Sequence, residues 1–344
     1  VNNKMLNAVE LTTKVEEVME RVNFSGVVLL QQAGKTLLNM KRGYANRSEE
    51  LANQADTRFG IASGCKIFTA VSVCQLIEAG KLSADSKLTD VLDVEFPLWD
   101  KGITIQQLLT HTSSIPDYFD EEVMDDFSEL WTDRPVYAMR RLSDFLPMFQ
   151  HLPMKSAPGE RFHYNNAGFI VLGLIVEQHS GLSFTDYVEE HIFKRCGMKD
   201  SGYFVTDQLP RNTALGYIDH EDGSWNTNMF SIPVKGGSDG GAYVTAPDMI
   251  RFWGALLGHQ LLNEETRRQL LTPHAHQEDE EYYGQGIWID RKGEDIFKFH
   301  VMGFDPGVSF MSSVYPDYDL QLVVLSNQES GPYPITIAIE EALA

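Results

Sequence analysis

Apolar residues recur at helical spacing near the start of the chain: Val9, Leu11, Val15, Val18 and Met19, with acids and Lys14 between them. Residues three and four apart share one face of a helix, so this spacing predicts an amphipathic helix over 7–22. Two strands follow, over 24–30 and 36–40, split by the turn Gln31-Gln32-Ala33-Gly34-Lys35. A different pattern begins at Ser63. From there to Ala79 the chain is apolar nearly all round, through Ile67, Phe68, Ala70, Val71, Val73 and Leu76, and Gly80 closes the run. A helix with no polar face belongs inside a protein. A glycine just past its end suits the left-handed residue with which helices often stop.

Residues 82–240 read as helices, turns and loops punctuated by Pro97, Pro116, Pro135, Pro147, Pro153 and Pro158. Thr104 caps a short helix, and a longer one runs over 167–179 with Gly181 beyond it. Strand character returns over 286–289, 296–301, 308–314 and 320–325; Pro332 to Pro334 then break the chain before a last helix over 335–343. Strand-rich sequence thus lies at both ends and helical sequence in the middle. That predicts one catalytic unit over 1–344, with a mixed α/β lobe from about 1–82 and 240–344 and an inserted, mainly helical lobe over about 83–239. A site is expected where the lobes meet.

The 28 basic residues face 49 acidic ones, a formal charge of −21. Such a field repels phosphate backbones and anionic lipid, so nucleic acid and membrane surfaces are not expected partners; a small molecule or short peptide is. No apolar run reaches the ~20 residues of a membrane span. The polar start, Val1 to Glu10, lacks the apolar core of a signal peptide. This favours a cytoplasmic chain, whereas a removed leader would make it secreted or surface-attached. Cys65, Cys74 and Cys196 have no metal-like spacing and read as free thiols.

Three segments carry candidate chemistry. In Ser63-Gly64-Cys65-Lys66, Ser63 opens the buried helix, where free N–H groups favour a developing anion. Lys66 lies one turn along the same face. A lysine amid apolar residues is costly to keep charged, so its pKa should fall and it can act as the base that deprotonates Ser63. Otherwise Ser63 is merely a helix cap and Lys66 a side chain reaching out to water. In Tyr164-Asn165-Asn166, the phenol can shuttle a proton and Asn166 can hold Lys66 or a substrate amide. His300-Val301-Met302-Gly303-Phe304-Asp305-Pro306-Gly307 reads as a strand whose Gly303 lets a substrate approach the backbone. An N–H beside it can complete an oxyanion hole.

Taken together, these segments resemble the serine β-lactamase and penicillin-binding superfamily, in particular its class C β-lactamase, D-alanyl-D-alanine carboxypeptidase and esterase branch. The order Ser-x-x-Lys, Tyr-x-Asn and a strand ending in Gly is that of the family. The stretches from Ile103 to Pro116, from Gly240 to Met249 and from Val323 to Asn327 are similar to it as well. The resemblance implies an α+β fold: an antiparallel sheet flanked by N- and C-terminal helices, plus a mainly helical lobe. It implies a serine hydrolase in which Ser63 attacks a carbonyl carbon and Lys66 and Tyr164 share the proton work. The N–H groups of Ser63 and Phe304 would hold the oxyanion, and no metal or organic cofactor would be needed. Asn166, His300, Gly303 and Phe304 are the candidate substrate-binding residues.

One departure bears on the substrate. Pro306-Gly307 sets the register of the last motif, so the family's Lys or His position falls on Val301, and His300 stands one residue early. Side chains alternate along a strand, which turns His300 to the other face unless a bulge intervenes. A missing cation weakens the grip on a substrate carboxylate and favours ester or amide hydrolysis over penicillin turnover. A D-alanyl-D-alanine carboxypeptidase or class C-like β-lactamase is the alternative, and a non-catalytic peptide-binding member a second one. Lys235-Gly236-Gly237 lies out of order and reads as a loop. His274-Ala275-His276 with its following acids reads as a solvated loop rather than a metal site.

Overall fold

The computed structural model describes residues 6 to 343; Val1 to Met5, half of the polar start, lie outside the described residues. Its frame is an eight-stranded antiparallel sheet. In order across the sheet the strands are Lys35–Arg42, Gly26–Gln32, Leu320–Ser326, Val308–Tyr315, Asp295–Asp305, Trp288–Lys292, Glu281–Tyr283 and Ala275–Glu278. Two N-terminal strands therefore pair with the last strand of the chain, Val28 opposite Val324.

Both faces of this sheet are covered, which is why Val308–Tyr315 is buried at all eight positions. The period of two sorts the side chains. Leu322 and Val324 pack with Leu11, Val15, Ile335 and Ile339 of the two terminal helices, Ala8–Arg21 and Pro332–Glu340. Val323 and Leu325 belong to the larger core on the other face, with Phe68, Val71 and Phe252. The helix Lys66–Glu78 runs through that core, buried on every side as its uniform apolarity predicts.

Local signals set the ends of several helices. Asn7 accepts from the N–H groups of Val9 and Glu10 (3.1 and 3.4 Å) to start the first. Thr104 and Gln107 form a reciprocal capping box. Asn165 caps Asn166–Ser180, and Gly181 ends it in the left-handed region at φ 76°. Among the described residues no single helix is long and apolar enough to cross a membrane.

Three expectations need correction. Pro332 does not break the chain: it occupies the first turn of Pro332–Glu340, where its missing N–H has no intrahelical acceptor to lose. The segment after His274 is a hairpin, Ala275–Glu278 with Glu281–Tyr283, turning at Asp279 (φ 41°). Two helices, Ala246–Leu257 and Glu264–Leu270, arise where the pattern placed none. Thr245 announces the first of them, its hydroxyl accepting from the Asp248 N–H.

Candidate active site

The short turn Ala62–Cys65 delivers the chain into the helix Lys66–Glu78. Ala62 adopts φ 44°, a left-handed conformation that costs a residue with a side chain about 1–3 kcal/mol. Ala62, Gly64, Cys65 and Lys66 are all buried, and only Ser63 among them reaches a surface, that of the cleft. No side chain caps this turn, so the Ser63 hydroxyl is not used as a helix cap.

Lys66 is 2% exposed. Its Nζ lies 2.8 Å from Ser63 Oγ, 2.8 Å from Asn166 Oδ1 and 2.7 Å from the Asp239 carbonyl oxygen. Two of these neighbours are carbonyl oxygens and can only accept. Lys66 donates to both, and its third contact is with the serine hydroxyl, a group that can donate as well as accept, so the amine stands where a proton can pass between them. The Asn166 orientation is set from behind, because its Nδ2 faces Asp117 Oδ2 and the Phe119 carbonyl (both 3.3 Å). Asp117 also accepts from the N–H groups of Asn166 (2.7 Å) and Ala167 (2.9 Å), anchoring the start of that helix. Burial pushes the Asp117 carboxyl up to about 7 despite these donors.

Tyr164 completes this wall. Its ring lies 5.0 Å from Lys66 Nζ. Burial first, and the negative Glu121 second, hold its phenol well above the usual tyrosine range, while the Ser63 hydroxyl acts in the opposite sense. The group therefore stays a neutral phenol, able to donate and accept. Trp288 stacks on it at 6.0 Å and His111 lies at 4.5 Å. His111 Nδ1 accepts from the Asn165 N–H at 3.1 Å, tying the ring to the Tyr-Asn-Asn segment. Burial lowers its pKa well below the ordinary histidine value, so it packs as a neutral ring.

The opposite wall is the end of the strand Asp295–Asp305. A side chain at Gly303 would place Cβ 2.8 Å from the Ser63 nitrogen, so only glycine allows this approach. Phe304, 50% exposed, lines the cleft beside it. His300 requires a correction as a substrate contact. The pairing from Phe299 to Asp305 has no bulge, so His300 keeps the parity opposite to Gly303. It is buried, its Nε2 lies 2.9 Å from Asp290 Oδ1 and its ring stacks on Trp288 at 6.3 Å. Burial keeps its pKa below the usual value, with Asp290 opposing. Lys235 does lie in a loop that lines the cleft, but its amine is 3.2 Å from the Thr185 hydroxyl.

Ser63 sits in a cleft whose lining includes Tyr118, Phe119, Asn166, Tyr243 and Phe304. Sequence reasoning missed its acids. Asp239, Asp305 and Glu121 all line it. Asp239 is buried and accepts from the Tyr118 hydroxyl. Asp305 is half-buried; burial, then repulsion from Asp239, push its carboxyl up to about 7 while Lys66 pulls it down. Asp239 and Glu121 stand in no motif, Asp305 lies within the third one without a role assigned to it, and only their convergence marks the three.

Elsewhere two groups of metal-ligand type converge, Asp120 with Glu122 and His163, and Glu281 with Asp290 and His300. Each already holds a lysine, Lys155 on Asp120 and Lys298 on Asp290. His274 and His276 belong to neither and bond to backbone carbonyls. The three cysteines are free, and burial pushes the Cys65 thiol up to about 12.

The model of the Beta-lactamase family matches residues 11–344. The chain is 29% identical to penicillin-binding protein 4* of Bacillus subtilis (strain 168) over 333 residues, 93% of this chain and 71% of the relative. It is similar to the crystal structure of a penicillin binding protein from Bacillus halodurans, at 57% identity and TM-score 0.92, covering 95% of this chain and 99% of that one. The D-amino acid amidase of Ochrobactrum anthropi SV3 shares the fold, with TM-score 0.78 at 20% identity over 97% and 98% of the two chains.

Proposed function

The chain belongs to the beta-lactamase family of serine hydrolases, and on that premise we propose that it hydrolyses an ester or amide through an acyl-enzyme on Ser63. Ser63 Oγ attacks the carbonyl carbon while its proton passes to the Lys66 amine. The N–H groups of Ser63 and Phe304 hold the negative oxygen. The tetrahedral species collapses, the leaving group departs with a proton relayed through the Tyr164 phenol, and the acyl group remains on Oγ. Water then adds to the acyl carbon, its proton taken by the same pair, and the Oγ–carbon bond breaks to release the acid and free serine.

One observation carries this reading: the Lys66 amine stands 2.8 Å from Ser63 Oγ with its other positions committed to two carbonyls. Asn166 is thereby read as a positioning residue for Lys66. A penicillin-recognising activity is the second reading, favoured by the similarity to penicillin-binding proteins. Against it, the family's cation position falls on Val301, which is buried in the core, and three acids line the cavity.

Mass spectrometry after a fluorophosphonate and, separately, after a labelled penicillin tests both readings. The expected result is one adduct on Ser63 from the fluorophosphonate, absent in Ser63→Ala and in folded Lys66→Met, with no penicillin adduct. A penicillin adduct of equal yield would favour the second reading. No adduct from either reagent on folded protein would overturn both.

A further inference from the structure

We propose that the cleft selects substrates bearing a positive charge, an ammonium on the acyl portion of the ester or amide, and that Asp305 is the residue that receives it. This rests on the acyl-enzyme reading and names its substrate class. The strand geometry places the group. Gly303 and Asp305 are two residues apart, so both project from the same face, about 7 Å apart along the strand. That face is the one on which a Gly303 side chain would meet the Ser63 nitrogen. The Asp305 carboxylate thus starts from the wall that carries the oxyanion site and lines the same cavity as the nucleophile.

The fully buried acids nearby have partners. Asp117 takes backbone N–H groups, and Asp239 takes the Tyr118 hydroxyl. Asp305 takes no hydrogen bond and no ion pair from any described side chain. The two lysines near the cleft are occupied, Lys66 by Ser63, Asn166 and Asp239, and Lys235 by Thr185. Burial first, then repulsion from Asp239 and Glu121 against the pull of Lys66, pushes the Asp305 carboxyl up to about 7, and a bound cation would relieve the repulsion. A substrate carboxylate would add to the crowding instead. The rest of the lining, with Phe119, Phe204, Tyr243 and Phe304, suits the same occupant, because aromatic faces attract cations.

Three matched p-nitroanilides test the inference: alanine with a free amine (both enantiomers), propionyl as the neutral form and succinyl as the anionic form. For the native protein kcat/KM is expected to fall in that order for at least one alanine enantiomer, with the amine at least about tenfold above the neutral form. In Asp305→Asn the amine-to-neutral ratio should drop about tenfold and the succinyl-to-neutral ratio should rise. Ratios within one variant cancel any general loss of activity. Equal or anion-favouring turnover by native protein that still takes the fluorophosphonate on Ser63 would overturn this inference alone. So would an unchanged ratio in folded Asp305→Asn. Failure of Ser63 labelling would overturn the acyl-enzyme reading itself.

Discussion

On the wall that carries Ser63 the reacting groups are already paired. The Lys66 amine, the Asn166 amide and the Asp117 carboxylate each hold their partners within 3.3 Å. On the facing wall, from Gly303 to Asp305, a glycine lets the strand pack directly on the Ser63 turn and a carboxylate lacks a partner. The two walls do different work. Proton transfer needs groups held in place before the substrate arrives, since each reorganisation at the moment of reaction raises the barrier. Recognition needs groups left unsatisfied, because a buried polar atom that already has its bonds gains little from a ligand.

Substitutions on the recognition wall probe this contrast. The largest effect is expected at the closest approach. Gly303→Val should lower kcat/KM by about 10²–10³, the usual loss of one oxyanion donor, because Cβ would press on the Ser63 nitrogen. Circular dichroism and thermal melting would separate this local loss from a loss of fold, since the added Cβ also meets the Ile61 and Gly64 backbone. Wild-type turnover by that variant would mean the strand does not border the reacting atoms.

A smaller effect concerns pH. The Asp305 carboxyl, pushed up to about 7 by burial, Asp239 and Glu121 against the pull of Lys66, is neutral below that pH and charged above it. The preference for the amine substrate over the neutral one should therefore grow about two- to fivefold from pH 6 to 7.5. The free α-amine stays mostly protonated there, its own pKa being about 8. Because the ratio divides out groups common to both reactions, a flat ratio would separate selectivity from Asp305.

The smallest effect on catalysis is expected at His300. His300→Leu should leave kcat/KM within about threefold and cost about 1–3 kcal/mol of stability, since a buried hydrogen bond to Asp290 is lost. A tenfold fall in activity of the folded variant would mean that the far side of the strand reaches the cleft.

Relations that repeat along the backbone were legible without the fold. Ser63 and Lys66 are three residues apart, and helical geometry alone brings them to one face. The uniform apolarity after Ser63 foretold a helix buried all round. The period of two set His300 and Gly303 on opposite faces of one strand, and the unbulged pairing kept them there. The hairpin at Ala275–Tyr283 escaped for a local reason: its strands are short, and three of four residues in the first are exposed charged or polar groups.

Tertiary structure alone decided the charge of the cleft. Glu121, Asp239 and Asp305 come from three distant segments, and each is an ordinary acid among its sequence neighbours. The Tyr118 hydroxyl reaches Asp239 across 121 positions, and the Lys66 amine meets the Asp239 carbonyl across 173. No repeat of the backbone specifies such meetings. They depend on how the segment behind the helix Asn166–Ser180, the loop before Gly240 and the end of the strand at Asp305 pack around one helix start. The nucleophile and its base were thus written in four consecutive residues. What the cleft invites toward them was settled only by the packing of segments that do not touch until the chain is folded.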